Sequence, residues 1–167
     1  VTAPADVAER LGRLHQQSPA FRLYALVDGA QYRKHVGEPI SARPGFLSLF
    51  AETPDAALAH AGPWLVDAAQ ADAAVVEAIA ALEYDAPAVT WLIAPQDLAG
   101  LAQLLRLNLD IELPDGRAAL LRFWDPRVLV SLAEVLAPEQ REAFFAHIHE
   151  WHLLHDGRRT WIGRRGA

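Results

Sequence analysis

Apolar residues recur along this chain at periods of about 3.6 and 2 residues, and the switches between the two periods lay out its elements. Val7, Leu11 and Leu14 share a helical face, so Ala5–Gln17 reads as an amphipathic first helix that Ser18-Pro19 breaks. Phe21–Asp28 reads as a strand. Phe21, Leu23, Ala25 and Val27 lie on one side and Tyr24 and Leu26 on the other, so both of its faces should be covered. The stretch from Gln31 to Pro44 is rich in Gly, Pro and charge and reads as a loop. Phe46–Phe50 is a weak strand candidate. Thr53-Pro54 offers an N-cap and a first-turn proline for a helix through about His60, stopped by Gly62-Pro63. Pro63–Val66 is a further short extended piece, and Ala71–Leu82 carries a helical stripe of Val75, Val76 and Ile79.

The second half repeats the alternation. Ala88–Ile93 has a buried-strand pattern, and Pro95 opens a helix with Leu98, Leu101, Ala102 and Leu105 inward. Leu109–Leu113 alternates as a half-buried strand, Asp115-Gly116 signals a hairpin, and Ala118–Trp124 is its returning strand. Asp125-Pro126 caps a helix to about Leu136, and Pro138 starts another through roughly Glu150. Trp151–Ile162 reads as a second hairpin turning at Asp156-Gly157. Strands interleaved with helices, with hairpins late in the chain, predict a single α/β domain: a mixed β-sheet, helices packed on it and a C-terminal β-hairpin. Within residues 1–167 the expected parts are an N-terminal helix (1–20), a core (21–151), and a hairpin with a basic tail (152–167).

Composition narrows the classes. A chain of 167 residues, 52% of them hydrophobic, can bury a full core. It has no cysteine, so disulfides are excluded. No apolar run reaches membrane-span length, and the charges in VTAPADVAERLGR fall where a signal peptide needs its apolar region, so a soluble, cytoplasmic protein is expected. A net charge of −6 disfavours nucleic acid as a partner. Arg158, Arg159, Arg164 and Arg165 crowd the end, and such a basic end could dock an acidic partner or simply be solvated.

The candidate chemistry is sparse. His147, His149, His152 and His155 lie near Glu150 and Asp156, but His149-Glu150-Trp151-His152 is one residue short of the spacing that sets two histidines one helical turn apart. No nucleophile elbow, phosphate loop or dinucleotide turn is present. Catalytic residues, metal and cofactor are therefore all expected to be none. Asp28, at a strand end, could serve a ligand or bond the following turn amides. Asp125 suits an N-cap, with Pro126 in the first turn. Arg122 and Arg127 flank it, and an internal ion pair of Asp28 or Asp125 with Arg122 is the favoured reading of these four charged residues.

Several of these segments resemble a family catalogued as a domain of unknown function and associated with type VI secretion adaptors, also called effector chaperones. Tyr24-Ala25-Leu26-Val27-Asp28-Gly29-Ala30 is similar to its opening strand, Leu47–Phe50 to a short segment after it, and Gly62-Pro63-Trp64-Leu65-Val66 to its Pro-aromatic-Leu-Val motif. Pro114-Asp115-Gly116 followed by Leu121-Arg122-Phe123-Trp124-Asp125-Pro126-Arg127-Val128-Leu129 resembles its Phe-Arg-aromatic-Asp-Pro-Arg signature, with Trp124 where tyrosine is commoner. The resemblance implies a cytoplasmic, non-enzymatic adaptor whose partners are a cognate secreted effector and the valine-glycine-repeat spike protein, with no membrane or small-molecule substrate. Trp64, Trp161, Arg158 and Arg159 are the candidate partner-binding residues, because interface hot spots favour Trp and Arg. The alternatives are a small metal-dependent hydrolase built on the C-terminal histidines and a structural subunit of a larger assembly docked by the basic tail.

Overall fold

Strand β1 (Arg22–Asp28) is buried along its whole length after its first residue, so it must lie inside a sheet covered on both faces. The structure, a computed structural model, describes residues 3–163 and places β1 near the middle of six strands. Their order is β2 (Phe46–Ser48), β3 (Pro63–Asp67), β1, β4 (Val89–Ala94), β7 (Glu150–His155) and β8 (Arg158–Gly163). A separate two-stranded ribbon pairs β5 (Asp110–Glu112) with β6 (Ala118–Leu120).

The pleat divides the core in two. Tyr24, Leu26, Leu65, Leu92, Trp151 and Leu153 face one layer, with α4 (Leu98–Arg106), α5 (Pro126–Val135) and α6 (Pro138–Phe145). Leu23, Ala25, Val27, Val66, Trp91 and Ile93 face the other, with α1 (Ala5–His15), α2 (Gly29–Val36) and α3 (Ala73–Asp85). The chain is thus a single α/β domain with helices on both faces and a C-terminal hairpin, β7–β8, as its pattern predicts. That hairpin turns through Asp156 and Gly157 at φ 50° and 74°, the left-handed pair a tight two-residue loop requires.

Six expectations change. The sheet is not mixed, because every pairing in it is antiparallel. The supposed loop after β1 begins with α2, which Asp28 caps by accepting from the amides of Ala30 and Gln31. The helix expected after Thr53-Pro54 is a 3-10 helix, Ala56–Ala61. β5 is exposed rather than half-buried, and the returning strand stops at Leu120, leaving Leu121–Asp125 as a turn. Finally, α6 ends at Phe145, because Glu150 already belongs to β7.

Candidate functional site

Two groups of charged residues stand out, one built on the signature and one under α1. At the first, Asp125 accepts from the Arg127 amide and caps α5, with Pro126 in the first turn where its missing N–H costs nothing. The Arg127 guanidinium turns back on the same carboxylate at 3.1 and 2.8 Å. Asp28 approaches from the sheet, its side chain 3% exposed, and meets Arg122 at 3.7 Å. Burial pushes the Asp28 carboxyl up, against the amides of Gln31 and Ala30 and the charge of Arg122, while Asp125 adds to the rise. Arg122 is 58% exposed and also lies over the Trp124 ring, so the expected ion pair exists but at the surface. Beneath these groups, Phe123 and Trp124 pack edge-to-face with each other, and Trp124 does so with Phe50.

The second group ties α1 to the C-terminal hairpin. Glu150 is buried in β7 and accepts from Arg10 Nε at 2.9 and 3.0 Å, with His152 Nε2 2.7 Å from its second oxygen. Burial opposes the charge on Glu150, but the hydrogen bonds with His152 and Arg10 prevail and hold its carboxyl down at about 2. Arg10 and His152 both lie against the Trp161 ring. Beside them, Arg159 bridges Glu83 of α3 and Asp6 of α1. Burial raises the Glu83 carboxyl and Arg159 counters it.

These contacts sort the candidate partner-binding residues. Trp64 is buried, and its indole donates to the Ala59 carbonyl at 2.9 Å, so it belongs to the core. Arg159 spends its guanidinium inside the molecule. Trp161 is 43% exposed, and Arg158 is exposed. Arg164 and Arg165, the rest of the basic tail, lie outside the described residues. The histidines diverge. His152 is engaged with Glu150, His149 stacks on Phe21, His155 sits at the hairpin turn beside Asp156, and the His147 carbonyl accepts from Gln96. Among the described residues no three His, Asp or Glu side chains are arranged to hold a metal ion.

Sequence reasoning passed over Arg10, Asp6 and Glu83. Glu83 did carry a signal, since it continues the stripe of Val76 and Ile79 that faces the core, where a carboxylate needs a cation. Concave surfaces remain open, and a small one of about 210 Å³ is lined by Phe21, Gln96, His147 and His149. A largely apolar groove of about 690 Å³ runs beside α1, lined by Ala8, Leu11, Gly12, Phe21 and Leu23. A cleft of about 350 Å³ lies among Tyr84, Pro126, Arg127, His155 and Asp156. No helix among the described residues is long and apolar enough to cross a membrane.

Searches of the curated proteins and of the solved structures returned no match. A family model described as a domain of unknown function, DUF4123, matches residues 23–143. That span starts at the second residue of β1, runs through the signature and into α6, and leaves out α1 and the β7–β8 hairpin that the Arg10–Glu150 and Arg159–Asp6 ion pairs join. Because the match covers well over half of the sequence, the chain belongs to the DUF4123 family.

Proposed function

We propose that this protein is a non-enzymatic adaptor that binds a type VI secretion effector and helps load it onto the spike protein. The resemblance of its signature to that of effector chaperones supports this reading. One observation supports a binding role: the signature's carboxylates are engaged by backbone amides and guanidinium groups, while several large apolar side chains stay in water. Tyr84, Leu107, Val135 and Trp161 are each at least 43% exposed, and Tyr84 also lines the cleft beside Arg127; protein interfaces bury exposed aromatic and apolar groups of this kind. Asp28 and Asp125 then hold helix starts and the loop between them, which positions the outer surface without reacting.

Capture from cells with an active secretion system tests this reading. The tagged chain is expected to retain an effector and the spike protein through washing, and their absence from the eluate of folded chain contradicts it.

A further inference from the structure

The β5–β6 ribbon stands apart from the large sheet, and all three residues of β5 are exposed. Isolated two-stranded hairpins are marginal in water, but this one is held at both ends. At its turn Gly116 takes φ 83°, its amide donates to the Leu113 carbonyl, and Leu113 N–H donates to the Arg117 carbonyl at 2.8 Å. At its base Leu109 is buried, and its carbonyl accepts from Leu121 N–H at 2.6 Å. The strand is therefore preformed, and among the described residues it pairs with β6 alone.

Antiparallel partners alternate between hydrogen-bonded and unbonded pairs. With Leu113/Arg117 and Leu109/Leu121 bonded, Ile111 and Ala119 form the bonded pair between them. The N–H and C=O groups of Asp110 and Glu112 then point away from β6. Two outward-facing residues at this spacing form the template that an added strand requires.

We propose that the outer edge of β5 docks an extended, basic segment of another chain as a third strand. Charge selects both edge and occupant. The outer edge of β6 offers only Ala118 and Leu120, whereas β5 sets two carboxylates on one face, and directly opposite cross-strand residues of unlike charge attract. A second copy of the same strand would bring like charges together. On the other face Ile111, 40% exposed, accepts an apolar side chain, so the docked segment reads basic-apolar-basic. This deepens the adaptor reading and rests on it only for the identity of the chain that carries the segment.

The probe is a capped synthetic peptide, Lys-Val-Lys-Val-Lys, with its Glu-Val counterpart as control, titrated into the whole labelled protein and followed by NMR. Saturable shifts confined to Leu109–Leu121 are expected, with amide exchange at Asp110 and Glu112 slowed about tenfold or more and the control inert. The variant D110K/E112K should bind about tenfold more weakly, and E112P, which removes one outward N–H, should lose the exchange protection while melting like the wild type. Absence of shifts at millimolar peptide, equal binding by D110K/E112K, or shifts centred on the groove beside α1 would overturn the proposal. Capture of effector and spike is a separate readout, so either reading can fail without the other.

Discussion

Glu150 sits among apolar neighbours in β7, and its carboxylate is tolerated there because Arg10 and His152 both reach it. A carboxyl held at about 2 in the fold, against an ordinary 4.5, contributes stability that is present above pH 4.5 and is lost as pH falls toward 2. Thermal melts across that range should therefore show a shallower acid slope in Glu150→Gln than in the wild type, and parallel slopes would contradict the assignment. Arg159→Ala leaves the Glu83 carboxylate, 1% exposed, without its cation, so a loss of roughly 3–5 kcal/mol is expected in denaturant unfolding. A loss below about 1 kcal/mol would return Arg159 to the surface. At the signature, Asp125→Ala removes a helix cap and should cost about 1–2 kcal/mol, whereas Arg122→Ala gives up a 3.7 Å contact made from an exposed position and a distant approach to the Trp124 ring, and should cost under about 1 kcal/mol. The same unfolding curves rank the two. Asp125 was legible in the sequence because a cap acts on its immediate neighbours. Arg159 was not, since its partner Glu83 lies 76 residues away.

At the scale of elements, strands with apolar side chains on both faces were readable, and so were helices with a clear apolar stripe. α2 was not, because only Gly29 and Tyr32 of its eight residues are buried and the others, mostly polar, carry no apolar stripe. Its one local sign was the Asp28 cap, which the Asp-Gly pair disguised as a turn. Gly29 serves a packing purpose there: a Cβ would stand 2.7 Å from the Gly62 carbonyl oxygen and 2.8 Å from that of His60. Gly29→Ala should therefore destabilise by roughly 1–3 kcal/mol, since backbone atoms cannot swing aside. Urea unfolding checks this, and an unchanged midpoint would mean that the 3-10 helix yields. The signature misled in the other direction. Phe123 and Trp124 look like strand residues, but their burial comes from a turn folded against α6, Trp151 and Phe50 rather than from sheet pairing.

For the whole molecule, the period of two exposed the strands but not their direction, because a covered antiparallel strand and a covered parallel one have the same apolar pattern. The chain connects β3 to β4 through α3 yet inserts β1 between them, and that order makes every neighbour antiparallel. The family match stops short of both α1 and the β7–β8 hairpin, which the Arg10–Glu150 and Arg159–Asp6 ion pairs join through contacts no single segment announces. We propose that this body bridges effector and spike. The most direct test is reconstitution from three purified proteins: immobilised spike, effector, and this chain. Effector is expected to stay on the spike only when the chain is present, and in proportion to the chain retained. Effector held equally well without the chain, or not held with it, would rule the bridge out.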